Sequence, residues 1–226
     1  MLAFVAGATG YTGREVVRAL AGRGIDCVAH VRPDSPRREE WRRRFDALGA
    51  RTDFTEWRDD AMAATLRTLA PELVFALLGT TRARRRRTGD TYETVDYGLT
   101  ALLLRATRRD APRARFVYLS SVGVHDRTRN PYLKARARIE AELRGSGLDY
   151  VVVRPSFITG PDRDEARPLE RAAAAGVDGV LAMAARLGAR RLHARWRSRS
   201  GAELADALVR VALEGAGGRV VEAEEL

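Results

Sequence analysis

The chain has 226 residues and a formal net charge of +10, with 40 Lys plus Arg against 30 Asp plus Glu. That length suits one domain with a full core, and no apolar run approaches the roughly 20 residues that a membrane span needs. A lone cysteine, Cys27, excludes an internal disulfide and a cysteine-based metal cluster.

The apolar pattern starts at Leu2 with no charged segment before it, so no signal peptide is expected and the protein is read as cytoplasmic. The positive charge raises nucleic-acid binding, because basic patches attract phosphate backbones. All but one of the basic residues are arginine, however, and they are spread over the whole chain. The densest run, Arg84 to Arg87, has no interleaved aromatics to stack bases; it follows the fourth strand's C-terminal end, where ligands bind in open α/β sheets, and reads as a solvated loop or as a contact for an anionic substrate. Nucleic acid is therefore not the expected partner.

In chain order, "LAFVAG" (2–7) reads as a buried strand and leads into "GATGYTG". Gly7 allows a tight turn, Gly10 admits a pyrophosphate close to the backbone, and Gly13 lets the next helix (12–23) pack on the strand. Thr9, Tyr11 and Thr12 complete that cradle, whose helix N-terminus offers free N–H groups and a positive dipole end. Between a first strand and a first helix, the spacing points to a dinucleotide.

The second strand, "CVAHV" (27–31), ends at Arg32, where an NAD site would place an acid against the ribose hydroxyls. A guanidinium bonding a 2′-phosphate contributes roughly 1.5–3 kcal/mol, or about 10- to 100-fold preference for NADP. Asp34 is the rival NAD ligand, pushed off the strand by Pro33. NADP (as NADPH) is the expected cofactor.

A helix over 38–48, a short strand over 50–54, a helix over 60–69 and a strand over 72–79 follow. A helix over 92–108, a strand over 115–121, a helix over 132–146 and a strand over 150–155 complete the alternation. Strands and helices alternating at these lengths predict an α/β fold with a doubly wound parallel sheet, Rossmann-like, over a single domain of 226 residues. Residues 156–200 lose the alternation and read as a small C-terminal substrate lobe. A last helix starts near Ser200, with Glu203 placed for a capping box.

The ordered set "GATGYTG", Asp53–Phe54, "LGTTR" (78–82), "VDY" (95–97), "SSVG", "NPYL" and "RPSF" resembles the atypical short-chain dehydrogenase/reductase superfamily. The likeness is to its small NADP-binding members related to the HIV-Tat-interacting-protein-like oxidoreductases, and it covers nearly the whole chain. The resemblance implies that Asp53 and Phe54 lie beside the adenine, and that Gly79, Thr80 and Arg82 run along the ribose and pyrophosphate. It implies that Ser121 orients a substrate carbonyl and Tyr132 gives it a proton, with Pro155 and Ser156 bordering the nicotinamide.

In that superfamily a lysine four residues after the tyrosine holds the ribose and stabilises the tyrosinate. Here that position is Arg136, while the chain's only lysine, Lys134, lies two residues after Tyr132. On a helix, i and i+4 share a face and i and i+2 do not, so Arg136 is expected to face Tyr132 and Lys134 to face solvent. A cation about 5 Å from the phenol, at an effective dielectric near 20, stabilises its anion by roughly 3 kcal/mol. Arginine can supply that field but not a proton relay.

His125 is read as a loop histidine or a pocket residue. His30 and His193 lack metal-ligand spacing, so no metal is expected. Trp196 is a lid, core or substrate-contact aromatic. The reading is an NADP(H)-dependent oxidoreductase of a small carbonyl compound, with Ser121, Tyr132 and Arg136 as its catalytic residues. The alternative is a non-catalytic NADP(H)-binding redox sensor that acts through a protein partner; a homodimer is also open.

Overall fold

The computed structural model describes residues 1–80, 85, 88–156, 158–159 and 199–226. Most of the expected substrate lobe lies outside them, as do Arg82, Arg84, Arg86, Arg87, His193 and Trp196.

Seven parallel strands form the main sheet: β1 (Leu2–Ala6), β2 (Asp26–His30), β3 (Arg51–Asp53), β4 (Leu73–Ala76), β5 (Arg115–Leu119), β6 (Tyr150–Arg154) and β9 (Arg219–Glu222). Their spatial order is β3-β2-β1-β4-β5-β6-β9. A further parallel pair, β7 (Ile158–Thr159) and β8 (Arg199–Ser200), stands apart and brings residues 159 and 200 together.

Side chains alternate across each strand, so the sheet buries both faces. Ala3 and Val5 pack with α1 (Tyr11–Ala21), α2 (Arg38–Asp46) and the last helix, through Val16, Leu20, Trp41, Phe45, Leu204 and Leu208. Phe4 and Ala6 pack on the other face with α3 (Asp59–Leu69), α4 (Thr100–Asp110) and α5 (Pro131–Arg144), through Met62, Leu66, Leu103, Ile139 and Leu143. Strand order reverses at β1, between β2 and β4, and in open α/β sheets ligands bind at the carboxyl ends beside such a point.

Two features differ from the sequence expectation. The helix expected over 92–108 is composite: a π-helix over Tyr92–Leu99 runs directly into α4. Thr91 and Thr94 cap its start reciprocally, and at Gly98 a β-carbon would meet the Glu93 carbonyl at 3.2 Å. The wider turn carries Asp96, which is 1% exposed.

The second difference is β9, a seventh strand unmarked in the sequence reading. It has four residues after a glycine-rich turn, too short a run to show periodicity, and it forms by pairing with β6 from Val151↔Arg219 to Arg154↔Glu222. Before it, α6 (Gly201–Leu213) has the expected start, with Ser200 and Glu203 forming a capping box.

Candidate active site

The glycine loop is built for close approach. A β-carbon on Gly7, which has a φ of +84°, would lie 2.6 Å from the Leu77 carbonyl oxygen, and one on Gly13 would lie 2.1 Å from that of Gly7. Only glycine lets α1 begin so near β1 and β4. Gly10 is the N-cap of α1, and no side chain caps that helix, which leaves its first turn open to an anion. The Tyr11 hydroxyl accepts a hydrogen bond from the Gly201 N–H at 3.3 Å, so this loop also holds the start of α6.

A narrow cleft of about 90 Å³ runs from the loop along the carboxyl ends of β1, β2 and β4. Gly7, Thr9, Gly10, Arg32 and Gly79 line it, together with His30 and Trp57. The last two were not expected there. His30 Nε2 lies 2.8 Å from the Thr55 carbonyl, which can only accept, so Nε2 carries the proton of the neutral ring. Burial holds its pKa below the usual histidine value. Trp57 packs edge-on against it at 4.7 Å, and the Trp57 indole N–H is buried without a partner. The signal for this pair in sequence was a strand-end histidine and an aromatic shortly after Asp53.

Asp53 accepts the backbone N–H and hydroxyl of Thr55, so its carboxylate shapes the turn that presents Thr55 to His30. Phe54, the next residue, carries the Arg38 guanidinium on its face at 3.9 Å. Arg32 reaches Asp34 at 3.6 Å.

On the other side of the cleft, the consecutive serines divide. Ser120 is buried and donates to Glu140 at 2.6 Å; Glu140 takes a bidentate grip from Arg154, which also bonds Glu222. That network ties β5, α5, β6 and β9 together. Among the described residues, half-buried Ser121 makes only a 3.3 Å contact to the adjacent Val122 carbonyl. Val122 N–H donates to the Pro155 carbonyl at 2.9 Å, which sets Pro155 and Ser156 beside this serine.

Asn130 caps α5 by accepting the Tyr132 N–H at 2.9 Å, and Tyr132 sits in the first turn, partly exposed. Lys134 is exposed and Arg136 buried. The Arg136 guanidinium lies 4.7 Å from the Tyr132 ring centre, donates to the Leu119 carbonyl at the end of β5, and pairs with Asp96 at 3.1 Å. Its Nε is buried without a partner.

Asp96 is the residue the sequence reading missed. One carboxylate oxygen meets Arg136 and the other accepts the Thr80 N–H at 3.0 Å. A β-carbon on Gly79 would touch both Arg136 and Asp96, at 3.3 and 3.4 Å. The acid therefore joins the loop after β4 to the cation behind Tyr132. Burial raises its pKa despite Arg136 and the Thr80 N–H, which both pull it down. An acid inside the apolar pattern "VDYGLTALLL" was the available signal.

His125 is exposed on its loop. Burial pushes the Cys27 thiol up to about 12, which makes it inert as a nucleophile. Among the described residues no cluster of histidine, cysteine and carboxylates could hold a metal ion.

A family model described as NAD(P)H-binding matches residues 7–176, a span that holds the glycine loop, Asp96, Ser121 and Tyr132. The chain belongs to this NAD(P)H-binding family. A mitochondrial protein of Aspergillus terreus, fmp52-1, is 34% identical over 54% of this chain and 50% of its own. The chain spans about half the length of the two Aspergillus relatives it matches. A 4-hydroxy-2-methyl-3-oxo-4-farnesyl-3,4-dihydroquinoline-1-oxide ketoreductase of Stigmatella aurantiaca is 30% identical over 72% of this chain and 52% of its own.

Among solved structures, the WbmH enzyme of Bordetella bronchiseptica, in complex with NAD+, superposes with a TM-score of 0.67. It shares 20% identity and covers 98% of this chain and 74% of its own. The likeness is one of fold, and it fits the short-chain dehydrogenase/reductase resemblance.

The residues present suit the family's dinucleotide. The glycines bring the start of α1 close against β1 and β4, the first turn of α1 is uncapped, and the cleft beside it is lined by Arg32 and the Trp57 ring. No helix among the described residues is long and apolar enough to cross a membrane.

Proposed function

We propose that this protein is an NADPH-dependent reductase of small carbonyl compounds. The observation that carries the reading is the contact of Tyr132 with a buried cation, at the same sheet edge as a serine with no strong hydrogen bond and a glycine loop. The ketoreductase relative supports it, and a divinyl chlorophyllide a 8-vinyl-reductase of rice, 35% identical over 67% of this chain, supports reductase chemistry without a carbonyl substrate.

Gly7, Gly10, Gly13 and the first turn of α1 would hold the pyrophosphate, and Gly79 and Thr80 the ribose side. The chemistry that a reduced nicotinamide would supply there is a hydride for the carbonyl carbon. Ser121 donates a hydrogen bond to the carbonyl oxygen and orients it, and Tyr132 passes its hydroxyl proton to that oxygen as charge develops there. Arg136 stabilises the tyrosinate left behind. Asp96, paired with Arg136 at 3.1 Å, takes back part of that field. The tyrosinate regains its proton from water, because arginine does not release one.

Preference for NADPH rests on two guanidinium groups. Arg32 lines the cleft, and Arg38 is held on Phe54, the residue after the one whose carbonyl binds the Val31 N–H. The cytoplasmic location belongs to the same proposal and rests on the sequence reading alone, against relatives that are named mitochondrial.

One observation favours the sensor reading: the Asp96 carboxylate offsets the cation that Tyr132 needs. NADPH oxidation with aldehydes, ketones and quinones separates the two. The reductase reading expects turnover by wild type that drops by about 10²-fold or more in Tyr132→Phe. A silent wild type beside an active Arg136→Lys variant would instead give the sensor reading the lead.

A further inference from the structure

We infer that Arg85 forms an anion subsite beside Tyr132, so that the carbonyl substrate carries a carboxylate or a similar anionic group. This rests on the reductase reading and names its substrate class. The Arg85 guanidinium lies over the Tyr92 ring at 4.5 Å, and Tyr92 meets the Tyr132 ring edge-on at 5.4 Å and 62°. Tyr92 follows directly on Thr91, whose capping box fixes the start of the π-helix. Two ring contacts, of 4.5 and 5.4 Å, thus link the cation to the proton donor.

Other arginines among the described residues are already satisfied. Arg138 pairs with Glu93 at 2.6 Å, Arg105 with Asp59 at 3.0 Å and Arg136 with Asp96 at 3.1 Å. Arg85 has an aromatic face and, among the described residues, no carboxylate partner. A guanidinium that lies over a ring still has N–H donors to offer, in the fork that matches a carboxylate. The charge arrangement points the same way. The inner cation, Arg136, is balanced by Asp96, whereas no carboxylate among the described residues balances the outer one. The net charge of +10 would draw anions toward it.

The test compares benzaldehyde with 4-carboxybenzaldehyde, which share ring and carbonyl and differ in one carboxylate. Wild type should favour the carboxylated substrate by roughly tenfold or more in kcat/KM. Arg85→Ala should remove the preference through KM, with benzaldehyde turnover unchanged, and Arg85→Lys should keep part of it. Equal use of both substrates by wild type, or an equal loss of both in Arg85→Ala, would overturn the subsite and leave the reductase reading standing. If neither substrate turns over, the subsite is judged by binding, and the reductase reading fails only when the wider panel of aldehydes, ketones and quinones is silent too. A rise in Tm of the NADPH-loaded protein with benzoate, absent with benzyl alcohol and lost in Arg85→Ala, would sustain it; no rise with benzoate would end it.

Discussion

At the scale of single residues, the pair Arg136–Asp96 shows how a change of side chain is absorbed. An arginine at the lysine position brings extra donors into a buried site, and three acceptors or neighbours meet it: Leu119, Asp96 and the Tyr132 ring. Removing one member of a buried pair leaves the other charged and unpaired, at a cost of about 3–5 kcal/mol. Asp96→Ala should lose stability of that order in urea unfolding, while Asp96→Asn, which keeps an acceptor for Thr80, should lose less. A loss below about 1 kcal/mol for Asp96→Ala would mean the pair is not buried as described. His30 gives the pH dependence. Its folded pKa is lowered, chiefly by burial, so the fold holds the neutral ring and the unfolded chain takes the proton first. Stability from this group is present above its ordinary value of 6.5 and falls as pH drops below it. Tm measured across that range should drop less steeply in His30→Gln than in wild type.

At the scale of elements, the loop after β1 is a junction between two helices. Tyr11 lies in the first turn of α1, and its ring would sit 2.6 Å from a β-carbon on Gly201 at the start of α6. Gly201→Ala should push Tyr11 aside, with a stability loss of about 1–3 kcal/mol and weaker NADPH binding in the same variant. Calorimetry that found unaltered NADPH affinity would separate the α6 contact from the cofactor loop. The elements themselves were largely legible. Seven-residue apolar runs such as "RFVYLSS" and the glycine spacing are local signals, and the helix after Ser200 was marked by its own capping residues. The π-helix and β9 were not legible. The first depends on one wide turn inside an otherwise regular pattern, and the second on a partner strand that supplies the pairing its four residues cannot specify.

At the scale of the whole molecule, cofactor binding is a question of linkage. A dinucleotide that binds only the folded chain stabilises it by mass action, by about 2.7 kcal/mol at a hundred times its Kd. NADPH should therefore raise Tm more than NADH does, and Arg32→Asp together with Arg38→Ala should erase the difference. A protein that shifts equally with both dinucleotides would lose the NADP assignment, and one that shifts with neither would lose the dinucleotide itself.

The sequence alone determined the parallel fold, the dinucleotide loop and the exposure of Lys134. Each follows from short-range rules: period two in strands, shared faces at i and i+4, and glycine where a β-carbon would collide with backbone. The tertiary structure decided the rest of the site. Which of two serines stays free depends on Glu140, a helix residue held by an arginine from another strand. How much charge reaches Tyr132 depends on Asp96, forty residues before its partner. Burial and the distance between charges set both outcomes, and neither exists until the chain has folded.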